Sequence, residues 1–228
     1  MSAAPLPSHV SNQDTHDLIA AGTVSMVYAL NNDWLRFVRL IAQCRAITDD
    51  GLELERGDCL RQVLRGGLKT VESHTRLQWA LEAAEGLHYI HEKGIIHADV
   101  GCHNLLVHRS GHIKFIDFAG SGVDGNEPLV CYEWCSYRPG TTTLGIKTDI
   151  FAFGSALFEI ESGNVPFHQL QEVLGPWELM REVEKRFAAK DYPDMEMLQL
   201  KHVITRCWND EYESMADVRD DIAAYWQR

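Results

Sequence analysis

The chain has 228 residues, 45% of them hydrophobic and 24% charged, enough to bury one sizeable core or two lobes. Its formal net charge of −12 and pI near 5.3 argue against nucleic acid or an anionic membrane as partner, because both call for a basic face. The excess is uneven: residues 1–68 hold eight acids and six bases, residues 69–228 twenty-five and fifteen, which reads as a solvated acidic surface.

Residues 1–13 are small, polar and proline-bearing, and are predicted to be a disordered N-terminus. They show neither the basic nor the apolar segment of a secretory leader. Residues 17–29 carry Leu18-Ile19 and then Val24, Val27 and Tyr28 around Gly22, a strand–turn–strand pattern. Two apolar-rich runs, 35–43 and 51–54, are split by Thr48-Asp49-Asp50-Gly51, whose Asp-Gly pair predicts a hairpin. Asp58 is expected to cap a short helix through Leu60, Val63 and Leu64, ended by Gly66-Gly67. Ser73 is expected to cap a longer helix with Leu77, Leu81, Ala84, Leu87 and His88 on one stripe, stopped by Gly94.

Further on, strands at 105–107 and 113–116 flank the turn Arg109-Ser110-Gly111-His112. Residues 149–161 are apolar nearly all round, as a helix buried in a helical lobe would be. The longest apolar stretch, 150–158, is too short to span a bilayer. Trp177, Val183, Phe187, Val203, Cys207, Trp208 and Val218 mark amphipathic helices in the remainder. Six scattered cysteines (Cys44, Cys59, Cys102, Cys131, Cys135, Cys207) form no C-x-x-C pair, which points to a reduced, cytoplasmic protein. Seven of the eleven histidines fall in residues 74–112, but without a Cys or carboxylate at ligand spacing they predict no metal centre. Cys131 and Cys135 are spaced to face each other on a helix.

Chemistry concentrates in Ile96-His97-Ala98-Asp99-Val100-Gly101-Cys102-His103-Asn104 and in Lys114-Phe115-Ile116-Asp117-Phe118-Ala119-Gly120. An Asp, an Asn five residues later and a second Asp thirteen beyond that, between short apolar strands, read as a phosphoryl-transfer site. Asp99 is placed to orient a hydroxyl nucleophile, while Asn104 and Asp117 supply hard oxygen ligands for Mg²⁺.

These segments resemble the catalytic loop and the DFG segment of the protein kinase superfamily. The resemblance covers roughly residues 17–227 and implies an α+β, two-lobed kinase fold: a shortened β-rich N-lobe at 14–57 and a mainly helical C-lobe at 58–228. It also implies ATP and Mg²⁺ as cofactors, held in the cleft between lobes, with Gly22, Val27, Glu55 and Leu106 contacting the nucleotide. A protein Ser/Thr hydroxyl would be the phosphate acceptor. Asp149, in Lys147-Thr148-Asp149-Ile150-Phe151, resembles the Asp that opens the central helix of kinases and bonds back to the catalytic loop; a plain helix N-cap is the other reading. Gly163-Asn164-Val165-Pro166-Phe167 resembles the loop after that helix. Arg206-Cys207-Trp208 with Glu211-Tyr212-Glu213-Ser214 looks like the last helices of kinase-like proteins of filamentous fungi.

The departures from the family pattern bear on competence. Ala20-Ala21-Gly22-Thr23-Val24-Ser25-Met26-Val27-Tyr28 keeps one of three glycines expected over the phosphates, where a missing Cβ lets backbone N–H groups approach. No lysine occurs before Lys69, so the Lys that holds the α- and β-phosphates in kinases has no counterpart. Only twenty-five residues separate Tyr28 from Leu54, too few for a third strand, its helix and two further strands. Arg36 or Arg39 is a poor stand-in, since a guanidinium is not a compact point charge. Losing one preorganised charge costs roughly 10²–10³ in rate. Ala98 replaces the Arg of H-R-D, Gly101 stands where many Ser/Thr kinases carry a Lys, and Tyr137-Arg138-Pro139-Gly140 lacks the Glu of A-P-E.

The first expectation is therefore a protein Ser/Thr kinase domain of impaired activity. The alternatives are a pseudokinase that serves as a nucleotide- or protein-binding scaffold, and a reading frame that lacks an N-lobe exon.

Overall fold

A computed structural model describes residues 17–21, 26–29, 47–48, 51–52 and 57–226. The chain divides into two compact units, residues 1–55 and 56–228. In the first, β1 (Asp17–Ala21) pairs antiparallel with β2 (Met26–Ala29), with an irregular register between Leu18 and Ala20. A second pair joins β3 (Ile47–Thr48) to β4 (Gly51–Leu52). The hairpin expected from Asp50-Gly51 thus forms, but Gly51 lies in the strand opposite Thr48. The 35–43 run, the 1–13 segment and the proposed loss of a strand and helix lie outside the described residues.

The second unit opens with β5 (Asp58–Cys59), which runs antiparallel to β7 (Leu105–Val107); β7 in turn pairs with β8 (Ile113–Phe115). The 105–107 and 113–116 strands of the sequence reading are this hairpin, closed by the His108 N–H donating to the His112 carbonyl at 2.8 Å. A separate two-stranded ladder joins β6 (Ile95–Ile96) to β9 (Gly122–Val123).

Helices carry the rest. Helix α1 (Leu60–Gly67) starts after Cys59 and buries Leu60 and Leu64. Asp58 belongs to β5, so it does not cap this helix. Helix α2 (Ser73–Glu92) has Glu72 at its N-cap, one residue before the expected Ser73. Its last turn closes on Lys93, and Gly94 (φ +71°) takes the left-handed turn that ends it. The buried face of α2 is Trp79, Ala80, Ala83, Ala84, Leu87 and Ile90, whereas Leu77, Leu81 and His88 are only half-buried. The alanines set that face: with Ala80, Ala83 and Ala84 at 0–1% exposure, neighbouring elements approach the backbone closely.

Helix α3 (Ile146–Ser162) is the centre of the core, with every residue from Thr148 to Ile160 buried. Its start is tied by a reciprocal pair, the Gly145 N–H to Thr148 Oγ1 (2.8 Å) and the Thr148 N–H to the Gly145 carbonyl (3.0 Å). Helix α4 (Pro176–Ala188) has Pro176 in its first turn and turns Leu179, Val183 and Phe187 inward. Trp177 is in this helix, as expected, but is 75% exposed. It lies two residues from Leu179, on the opposite side of the helix. Helices α5 (Lys201–Trp208) and α6 (Met215–Trp226) complete the unit. A Cβ on Gly154 of α3 would stand 2.7 Å from Cys207 Cβ, so glycine permits the close approach of α3 and α5. Phe187 meets Phe151, Phe167 and Trp208 edge-on at centroid distances of 5.1, 5.2 and 5.1 Å. Cys131 and Cys135 are not on a helix; Cys131 is exposed and Cys135 buried. Among the described residues no helix is long and apolar enough to cross a membrane.

Candidate active site

Two loops are strung between the same two strand ladders. Residues 97–104 run from β6 to β7, and residues 116–121 run from β8 to β9. Because β7 pairs with β8 and β6 with β9, the loops must lie side by side. The Ile116 N–H donates to the Asn104 carbonyl at 3.0 Å, which sets Asn104 beside the residue that precedes Asp117.

Within the first loop a 3₁₀ turn, Cys102–Asn104, folds Asn104 back onto Asp99. Asn104 Nδ2 donates to the Asp99 carbonyl and to Asp99 Oδ2, both at 2.9 Å. Both partners are acceptors, so only the amide nitrogen can face them, and Oδ1 is turned the other way. Asn104 is 5% exposed. Asp117 is exposed, has φ +58°, and accepts the Ala119 N–H at 3.3 Å through Oδ1.

The loop is pinned from the core by Asp149. This carboxylate is fully buried and accepts the backbone N–H groups of His97 and Ala98 at 2.9 Å each. It also accepts the Tyr132 hydroxyl at 2.7 Å and His91 Nε2 at 2.8 Å. The N-cap of α3 is Gly145, so the role of Asp149 is the loop tether rather than the cap. Burial alone would raise its pKa; the bonds from His91 and Tyr132, with His97 nearby, hold it below the ordinary value. Ala98 is held at φ +64° between these anchors.

His97 joins the two loops. Its Nε2 lies 3.1 Å from the Ile116 carbonyl, its Nδ1 accepts the Asp99 N–H at 3.3 Å, and its carbonyl accepts the Ser121 hydroxyl at 3.0 Å. The ring sits against Phe115 and Phe118, with centroids 5.4 and 4.9 Å away. Burial lowers its pKa, which matches a neutral ring donating through Nε2.

Three further residues, His103, Glu133 and Arg61, are linked in series to the site. His103 Nε2 stands 3.2 Å from Asp99 Oδ1, and its Nδ1 is 3.2 Å from Glu133 Oε2, an ion-pair contact whose angle falls short of a hydrogen bond. Burial works against protonation of this ring, but the Asp99 and Glu133 carboxylates raise its pKa to about 9. Arg61 of α1 forks onto Glu133 with two bonds of 2.8 and 2.7 Å, and onto Glu159 of α3 with two of 2.6 and 2.9 Å. The Asp99/His103 spacing of four was visible in the sequence. Nothing local marks Arg61, whose partners lie 72 and 98 residues away.

A family model described as "Protein tyrosine and serine/threonine kinase" matches residues 37–220, most of the chain. This chain belongs to the protein kinase superfamily. Among curated proteins the kinase domain is similar to serine/threonine-protein kinase 12 of Arabidopsis thaliana, at 34% identity over 184 residues, covering 74% of this chain and 38% of that protein. It is 27% identical over 161 residues to serine/threonine/tyrosine-protein kinase HT1 of the same plant, covering 65% of this chain and 39% of the relative. It is 28% identical over 151 residues to cAMP-dependent protein kinase type 3 of Saccharomyces cerevisiae, covering 63% and 37%. The chain spans about two fifths or less of the length of these relatives. The kinase domain has the small sheets and largely helical C-terminal part expected of the fold.

Kinases use Mg²⁺, and the donors present suit it. Asn104 Oδ1, with no hydrogen bond among the described residues, and the exposed Asp117 carboxylate are hard oxygens on adjoining loops. No group of three or more His, Cys, Asp or Glu side chains among the described residues could enclose a metal by itself. Such a pair fits a cation whose other ligands are phosphate and water oxygens. Of the residues expected at the nucleotide, Leu106 lies on β7 opposite Lys114 and Cys59, and Val27 on β2 opposite Ala20. Gly22 and Glu55 lie outside the described residues.

Proposed function

We propose that this kinase domain transfers the γ-phosphoryl group of ATP to a Ser or Thr hydroxyl of a protein. Asp99 orients the acceptor and takes its proton as the new P–O bond forms and the β–γ bridge breaks, releasing ADP. Asn104 and Asp117 hold Mg²⁺, which neutralises charge on the phosphates. Leu106 is the nucleotide contact we assign within residues 56–228. The observation that carries this reading is the Asn104 amide, which is locked onto Asp99 by its nitrogen and so presents its oxygen as a ligand.

Turnover is slow in this reading. No lysine precedes Lys69. The same absence favours the second reading, a pseudokinase that binds nucleotide or protein without transfer. Thermal-shift titration with ATP, with and without Mg²⁺, tests nucleotide binding: a metal-dependent rise lost in Asp117→Asn supports it. Transfer of labelled phosphate to a generic protein, abolished in Asp99→Ala, identifies an enzyme. A metal-dependent shift without transfer identifies the pseudokinase.

A further inference from the structure

The space above Gly101 is filled by a neighbour's ring. A Cβ built on Gly101 would lie 2.6 Å from both Cε1 and Nδ1 of His103. The backbone there is extended (φ 179°), a conformation open to any residue, so the glycine serves space rather than backbone freedom. With its ring seated there, His103 reaches Asp99 Oδ1 with Nε2 and faces Glu133 with Nδ1. Glu133 is gripped by both terminal nitrogens of the Arg61 guanidinium, and Arg61 is gripped in turn by Glu159, whose side chain is 2% exposed. A chain of side chains therefore runs from helices α1 and α3 to the Asp99 carboxylate.

We propose that His103 is the positioning residue of this loop: lodged in the space left by Gly101, it holds the Asp99 carboxylate against Asn104 and is itself held from behind by Glu133 and Arg61. The proposal rests on Asp99 being the group that orients the acceptor, and it adds how that group is aimed. Asp99 Oδ2 bonds Asn104 and Oδ1 bonds His103, so the carboxylate plane is fixed by two donors on opposite oxygens. Removing His103 frees one oxygen and lets the carboxylate turn; removing the charge of Glu133 loosens the ring that does the holding.

Two measurements test this without reference to turnover. Gly101→Ala is introduced into the parent chain and into a His103→Ala background, and both pairs are melted. The expected drop is about 5 °C in the parent and less than about 1 °C in the His103→Ala background. Equal drops overturn the seating of the ring. The second measurement follows the Asn104 side-chain amide resonances, which report the Asp99 oxygens they bond and also His103 Nε2, 3.1 Å away, so the change at Glu133 is the deciding one. They are expected to move in His103→Ala, to return toward the parent position in His103→Gln, and to move in Glu133→Gln, a residue with no hydrogen bond to Asn104. If Glu133→Gln leaves them unchanged in folded protein, the proposal is wrong.

Kinetics supply the third arm. In chain that transfers phosphate, His103→Ala should lower kcat by up to about 10²-fold while KM for ATP stays within about twofold. Loss of kcat and KM effects in equal measure would mean a purely structural histidine. A parent chain with no transfer contradicts the proposed activity, and the amide resonances then decide the positioning role alone.

Discussion

Asp149 and His91 meet at 2.8 Å between Oδ2 and Nε2, with side-chain exposures of 0% and 5%. The carboxylate also carries two backbone N–H groups and a tyrosine hydroxyl. Asp149→Ala would leave those donors buried and unmatched. The expected loss is about 3–5 kcal/mol of unfolding free energy, read from urea titration followed by tryptophan fluorescence. Asp149→Asn keeps an acceptor and should lose less.

Acid should destabilise the second unit through two carboxylates. Burial alone would raise the pKa of Glu133, but His103 and Arg61 hold it well below the usual carboxylate range. Asp149 is likewise depressed, by His91, His97 and Tyr132 against the effect of burial. A folded pKa below the unfolded one gives stability that is complete above about pH 5 and is lost as pH falls. Melting temperature should therefore decline below about pH 5. In Glu133→Gln the decline should be shallower, and equal slopes for the two proteins would mean that Glu133 contributes nothing to acid sensitivity.

Gly154→Ala should cost about 1–3 kcal/mol, because the added methyl would press on Cys207 Cβ and on the Trp208 ring. A Cys207→Ala background, which removes only a sulfur and leaves that Cβ, should not rescue it. Denaturant midpoints of the two single variants and the double variant decide the matter.

Two large aromatics of helix α4 should behave in opposite ways. Phe187→Ala empties the centre of a ring cluster and should cost about 3–5 kcal/mol. Trp177→Ser, at a side chain 75% exposed, should change stability by no more than about 0.5 kcal/mol. Parallel urea titrations test the pair.

Local patterns carried much of the fold. The β7–β8 hairpin, the fully apolar α3 and the glycine stop of α2 each follow from a few neighbouring residues. The link between Asp149 and the catalytic loop was visible as a resemblance, and its atoms emerged only with the fold. Other features depend on distant partners. Asp58 joins a strand because β7 offers it a ladder, which outweighs its preference for a cap. On α2 three alanines share the buried face with Leu87, while Leu77 and Leu81 fall off it, because close backbone approach there needs small side chains. Trp177 lies off the stripe Leu179, Val183, Phe187, so its exposure follows from helical spacing rather than residue type. Arg61 could not be read at all: its partners Glu133 and Glu159 come from two remote segments.

Three of the buried polar side chains of helix α3 each hold a different segment of the chain. Asp149 grips the loop at 97–98, Ser155 Oγ holds the Cys135 carbonyl at 2.8 Å, and Glu159 fastens Arg61. Three peripheral segments are thereby moored to one mast. Unwinding of α3 would release all three together, so slow amide exchange along α3 should set the pace for their joint opening, and residues 56–228 should melt in a single step.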